Sequence, residues 1–228
     1  MRALNNNIHL RLLEIISSII PMSSHPELEK ISQITPQIYL SGINPFKDPS
    51  TLKKLGIKYV VSCVDAKYVA SSHEKIREID PDVTIIYLHY NDNLYQNLWE
   101  ANDGRNCVHK FRYNSSDYQI SGYLQRLYSD KPMIEVGYHA IDSIVRSGQS
   151  VLIHCMAGVS RSASLVIYYL MKTHGIDFDT AYRIVKGRRS IINPNKSFQA
   201  QLKRYQMLKE NCREADCHEI INHVLSTA

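Results

Sequence analysis

Val151-Leu152-Ile153-His154-Cys155-Met156-Ala157-Gly158-Val159-Ser160-Arg161-Ser162 is the stretch on which the fold turns. An apolar run ends in a cysteine, a loop with one central glycine ends in an arginine, and a long apolar stretch from Ala163 to Met171 follows. The pattern predicts a short buried strand, an anion-binding loop and a mostly apolar, hence central, helix.

The residue types give that loop a chemistry. Backbone N–H groups in a tight strand-to-helix turn point inward, with the positive end of the helix behind them. Met156, Ala157, Gly158, Val159 and Ser160 supply those groups, and Gly158 makes a turn that a side chain would obstruct. Arg161 offers a planar fork of donors that matches two phosphate oxygens. Cys155 sits in the same positive field, which lowers its thiol below the ordinary range and makes it a nucleophile. Attack on a bound phosphate would form a cysteinyl-phosphate, later hydrolysed by water. Ser162 is expected to donate to the sulfur and improve it as a leaving group. His154 is expected to orient the loop through backbone carbonyls rather than to move protons.

Strands and helices alternate outward from this stretch. Ile38–Leu40, Ile57–Val64 and Val83–Tyr90 read as strands, and Pro49–Leu55 and Ser72–Ile79 as short helices. Met133, Val136, Gly137, Ala140, Ile141, Ile144 and Val145 form an apolar stripe that predicts a helix over Ser129–Ser147. Pro132 suits its first turn, with Ser129 or Asp130 as N-cap. Asp177 is expected to cap the next helix, and Ser197–Cys212 reads as an amphipathic one. The order implies an α/β fold: a central mixed, mainly parallel sheet of about five strands, with helices on both faces. Residues 94–128 match neither period and read as a long excursion of the kind that often carries function.

Composition narrows the class. Of 228 residues, 44% are hydrophobic and 21% charged, enough to bury a core. A net charge of +5 suits phosphorylated partners, but no basic cluster reaches nucleic-acid density. The five cysteines lack the paired spacing of a disulfide framework and imply a reducing compartment, cytoplasmic or nuclear. Cys212, Cys217, His218 and His223 lack the spacing of a structural zinc site, so no metal is expected. Leu10–Ile20 is too short to span a membrane. Leu12, Leu13, Ile16, Ile19 and Ile20 share one helical face, read as packed on its own domain, with a homodimer through this helix as the alternative. The domain organisation is then residues 1–29, an N-terminal helix and hinge; 30–210, a catalytic domain interrupted at about 94–128; and 211–228, a tail.

His154-Cys155-Met156-Ala157-Gly158-Val159-Ser160-Arg161-Ser162 matches the His-Cys-x-x-Gly-x-x-Arg-Ser/Thr signature of cysteine-dependent protein phosphatases. Its Ala-Gly-Val-Ser-Arg-Ser wording, followed by Tyr169-Leu170-Met171 and Asn193-Pro194-Asn195, resembles the dual-specificity phosphatases in particular. Ile34–Gly42 and Leu55–Val61 look like that family's first two strands, so the resemblance runs from about Ile31 to Leu208. It implies the phosphatase fold and a cofactor-independent hydrolase acting on phosphotyrosine and phosphoserine/phosphothreonine in a protein substrate, with no nucleic acid and no membrane as partner. Related phosphoinositide and RNA 5′-phosphatases often carry Lys in the loop or Thr-Gly after its Arg. Met156, Ala157, Val159 and Ser160 add no charge, which favours proteins. A phosphate-binding pseudophosphatase or docking module is the alternative outside the enzymes.

The family's general acid is an Asp on the loop after the third strand. Asp92 fits best, but about forty residues separate it from Met133, where the family has a short connection. Asp103, Asp117 and Asp130 lie in that interval and stay open. Cys63, expected beside Cys155, reads as an inert buried thiol, with a reversible Cys63–Cys155 disulfide as the alternative. Lys186, Arg188 and Arg189 read as the solvated basic end of a helix, with contact to an acidic or phosphorylated substrate as the alternative.

Overall fold

The computed structural model describes residues 26–88, 91–100, 131–211 and Leu225. Residues 1–25 of the N-terminal helix and hinge, Asp103, Asp117, Asp130, Cys107, most of the 94–128 excursion and nearly all of the tail lie outside the described residues.

Five strands form one mixed sheet: β1 Ser32–Gln33, β2 Ile38–Ser41, β3 Tyr59–Ser62, β4 Thr84–Tyr87 and β5 Val151–His154, in the order β1-β2-β5-β3-β4. Only the β1–β2 pair is antiparallel. The two-residue edge strand β1 was not expected; it is too short to leave a periodic signal. β5 lies between β2 and β3, with His154 registered against Ser41 on one side and Ser62 on the other. All four β5 residues are buried, which is why the strand reads as a continuous apolar run rather than an alternating one.

Helices cover both faces of the sheet: α1 Thr51–Lys54, α2 Ala66–Ile79, α3 Met133–Arg146, α4 Arg161–His174, α5 Phe178–Arg188 and α6 Lys196–Asn211. α4 is buried without interruption from Ser162 to Met171, because it packs against the sheet and against α3, α5 and α6. It ends at Gly175, in the left-handed conformation that glycine tolerates. α5 is capped by Asp177, whose carboxylate accepts from the Thr180 N–H at 2.6 Å.

Three boundaries differ from expectation. α1 is a single turn rather than a helix over Pro49–Leu55. α2 begins six residues before Ser72, because the Asp65 carboxylate accepts from the Lys67 N–H at 3.0 Å and starts the helix there. α3 starts at Met133 with Pro132 itself at the N-cap, in an extended conformation and with no side-chain cap. Pro132 therefore precedes the first turn.

The described start of the excursion is pinned to α6. The Leu98 N–H donates to the Gln201 amide oxygen at 2.7 Å, Gln201 Nε2 donates back to the Gln96 carbonyl at 2.8 Å, and Trp99 stacks on Tyr205. Among the described residues no helix is long and apolar enough to cross a membrane.

Candidate active site

The site forms where β5 ends. β5 delivers His154 and Cys155 to the carboxyl edge of the sheet, and α4 begins six residues later at Arg161. Ser160 holds the N-cap position, but its hydroxyl makes no cap bond and is given to Asp92 instead. The Ser160 side chain thus leaves the first turn uncapped, at the helix end that favours an anion.

Two glycines let the loop close against β2. Gly158 has φ +68°, and a Cβ there would lie 2.4 Å from the Ser41 carbonyl carbon. A Cβ on Gly42 would lie 2.8 Å from the Ala157 carbonyl carbon. Back to back, they allow the Ile43 N–H to reach the Met156 carbonyl at 3.0 Å. Sequence reasoning found Gly158 and missed Gly42.

Cys155 is buried beneath this loop. Its Sγ accepts from the Gly158 N–H and from the Ser162 hydroxyl, both at 3.2 Å. Burial alone would push the thiol up. The charge of Arg161, the Ser162 hydroxyl and the backbone N–H groups of Ser162 and Val159 more than offset it, so the thiol lies below its ordinary value. His154 Nδ1 lies 3.3 Å from the Cys155 carbonyl oxygen, within the buried sheet edge. Met156, in contrast, is exposed at the mouth of the loop.

Asp92 reaches the loop's rim. Its Oδ1 accepts from the Ser160 hydroxyl at 2.6 Å and from Asn195 Nδ2 at 2.9 Å, while its Oδ2 lies 3.8 Å from Arg161 Nε. Ser160 Oγ in turn accepts from the Asn195 N–H at 3.1 Å. Asn193-Pro194-Asn195 is visible in the sequence as a turn. Its grip on Asp92 is not, because the two are 103 residues apart.

The basic cluster at the end of α5 corrects an expectation. Arg188 is exposed, but Arg189 is fully buried and holds the Cys155–Arg161 loop from behind. Its Nε donates to the Gly158 carbonyl at 2.8 Å and one terminal nitrogen to the Ala157 carbonyl at 3.1 Å. The other donates to the Lys30 carbonyl at 3.0 Å and the Ser32 hydroxyl at 3.3 Å. Lys186 Nζ donates to the Ile192 carbonyl at 2.6 Å. No local signal separates Arg188 from Arg189: only the loop packed on one of them does.

Cys63 follows β3 directly, and its N–H donates to the His154 carbonyl at 2.8 Å. It is buried, and both it and Cys155 are thiols. Among the described residues no group of three or more His, Cys, Asp or Glu side chains is placed to hold a metal ion.

A family model described as dual specificity phosphatase, catalytic domain, matches residues 38–207. A putative tyrosine-protein phosphatase of Acanthamoeba polyphaga mimivirus is 47% identical over 196 residues, covering 86% of this chain and 92% of that protein. Human dual specificity protein phosphatase 1 is 49% identical over 74 residues, which are 32% of this chain and 20% of that protein. The crystal structure of human DUSP28 shares the fold, with a TM-score of 0.52 at 19% identity over 79% of this chain and 95% of that one. A mixed five-stranded sheet, a cysteine and an arginine at the two ends of one strand-to-helix loop, and a family match across most of the chain agree, and the chain belongs to the dual-specificity phosphatase family of the protein tyrosine phosphatase superfamily.

Proposed function

We propose that this phosphatase hydrolyses phosphotyrosine and phosphoserine/phosphothreonine in proteins through a cysteinyl-phosphate. One observation carries the reading: the Cys155 sulfur collects N–H and O–H donors under a loop whose rim holds the Asp92 carboxylate beside Arg161. The phosphate binds the loop N–H groups of residues 156–161 and the Arg161 fork. The Cys155 thiolate attacks phosphorus, the bond to the substrate oxygen breaks, and that oxygen takes a proton from Asp92. Asp92 then accepts a proton from water, the water oxygen attacks phosphorus, and the P–S bond breaks. Ser162 donates to the departing sulfur.

Asp92 is preferred as the acid because Ser160 and Asn195 hold its Oδ1 and leave Oδ2 turned toward Arg161, where the leaving oxygen would sit. The uncharged side chains of Met156, Ala157, Val159 and Ser160, with Met156 exposed, suit a single phosphate on a peptide rather than a polyanionic headgroup or an RNA 5′ end.

Turnover of p-nitrophenyl phosphate and of phosphotyrosyl and phosphoseryl peptides tests the proposal. Cys155→Ser is expected to abolish all three. Asp92→Asn is expected to slow the phosphoseryl peptide by about a hundredfold or more and the aryl phosphate much less, since its leaving group needs little protonation. Wild-type protein no more active than Cys155→Ser, yet binding vanadate, would establish a phosphate-binding module instead. Faster turnover of a phosphoinositide or an RNA 5′-phosphate than of either peptide would reassign the substrate.

A further inference from the structure

A second pair of buried titratable groups lies behind the loop. Tyr87, Ser62 and His154 stand in one row across β4, β3 and β5. Registered residues of neighbouring parallel strands project from the same face, so Tyr87 and His154 flank Ser62. α2 lies over that face and sets His73 across the gap. His73 Nδ1 is 2.8 Å from the Tyr87 hydroxyl, and His73 Nε2 is 3.1 Å from His154 Nε2. Phe46 closes the side, edge-on to His73 with centroids 5.6 Å apart and to His154 at 4.8 Å. Both imidazoles are fully buried.

The last contact sets the direction of the whole chain. A carbonyl oxygen only accepts, so His154 Nδ1 carries the hydrogen in its 3.3 Å bond to the Cys155 carbonyl. In a neutral ring His154 Nε2 is then a bare acceptor, and the hydrogen between the two rings belongs to His73 Nε2. His73 Nδ1 is left bare and accepts from the Tyr87 hydroxyl. Three bonds run one way, from Tyr87 through His73 and His154 to the nucleophile's own carbonyl. A proton added to His154 Nε2 would set two N–H groups against each other, and one added to His73 Nδ1 would force the Tyr87 hydroxyl to turn from donor to acceptor. Burial opposes that charge, and so does the repulsion of each ring by its neighbours: His73 faces His154 and Arg77, and His154 faces Arg161. Arg77 and Glu74 are the charged groups that face Tyr87.

We propose that His73, aligned by Tyr87, is a positioning residue of this active site: it locks His154 in the Nδ1–H tautomer and so keeps a donor on the Cys155 carbonyl. The inference rests on the reading of Cys155 as the nucleophile. Without the His73 donor, His154 can take the opposite tautomer and turn a nitrogen lone pair toward the Cys155 carbonyl oxygen. Two acceptors then face each other, and an unscreened carbonyl dipole lies within the residue that must carry the thiolate.

Long-range ¹H–¹⁵N NMR of the full chain at pH 7 tests the tautomers directly. The expected pattern is hydrogen on Nδ1 of His154 and on Nε2 of His73, and hydrogen on Nε2 of His154 would overturn the proposal. His73→Gln keeps an amide donor near the Nε2 position, whereas His73→Leu removes it. At pH 6, alkylation of Cys155 by iodoacetamide is expected to slow about fivefold in His73→Leu and to stay within about twofold of wild type in His73→Gln. A folded His73→Leu protein with wild-type alkylation at every pH would also overturn it. If His73→Leu does not fold, Tyr87→Phe decides: loss of the Nδ1–H signal of His154 or slower alkylation supports the relay, and neither change sinks it. Failure of the phosphatase reading would show separately, as equal inactivity of wild type and Cys155→Ser, and would leave the tautomers as they are.

Discussion

The Arg189 guanidinium donates from Nε to the Gly158 carbonyl at 2.8 Å, joining the end of α5 to the middle of the Cys155–Arg161 loop. With its three other bonds, to Ala157, Lys30 and Ser32, this buried side chain ties the loop to the start of the sheet. Arg189→Ala would leave those carbonyls buried without a donor. It is expected to destabilise the protein by about 3 kcal/mol or more by urea unfolding. Arg189→Lys should recover little of this, because an ammonium does not reproduce the fork. Arg188→Ala, on the exposed neighbour, should change stability by about 0.5 kcal/mol or less.

Gly158 and Gly56 separate two costs of replacing a glycine. Both have positive φ, +68° and +65°, but a Cβ at Gly56 meets nothing within 4 Å. Gly56→Ala is expected to cost about 1 kcal/mol, the backbone penalty alone. Gly158→Ala adds a collision with the β2 backbone, so it should cost at least about 3 kcal/mol and take most of the activity with it. Equal melting temperatures for the two variants would show that β2 gives way.

Asn195 is expected to act on turnover through Asp92. Asn195→Ala removes the 2.9 Å donor to Asp92 Oδ1 and leaves Cys155 untouched. On phosphoseryl peptide kcat should fall about tenfold, with KM nearly unchanged. On p-nitrophenyl phosphate the loss should be smaller. A uniform loss on both substrates would mean that Asn195 supports the loop rather than the acid.

Acid should unfold this protein early. Burial depresses His73 to about 2 and His154 to about 4, against an ordinary 6.5. Both rings stay neutral in the folded chain, while the unfolded chain takes up protons below pH 6.5. The stability tied to them is fully present above pH 6.5 and is lost as pH falls, from both rings down to about pH 4 and from His73 alone toward pH 2. Each ring contributes a slope of about 1.4 kcal/mol per pH unit. Urea unfolding at pH 6.5 and 5.5 should differ by about 2 kcal/mol, and His73→Gln should remove about half of that difference.

Local pattern determined much of this protein. The apolar run into His154 and Cys155, the glycine three residues on and the arginine at the next helix start are contiguous, so their geometry follows from strand, turn and helix rules within twelve residues. The uninterrupted apolar face of α4 likewise announced a central helix. Tertiary structure alone decided the rest, because the partners are remote in the chain and ordinary in type. Arg188 and Arg189 are identical side chains on adjacent positions, and only the loop packed against one makes it a clamp. Asp92 is one carboxylate among several until Ser160 and Asn195, 68 and 103 residues away, take hold of it. His73 gave no signal as a helix residue, since its role exists only where α2 crosses the row of Tyr87, Ser62 and His154. Hydrogen bonds between distant segments depend on where the fold brings donor and acceptor together, and no spacing along the chain encodes that.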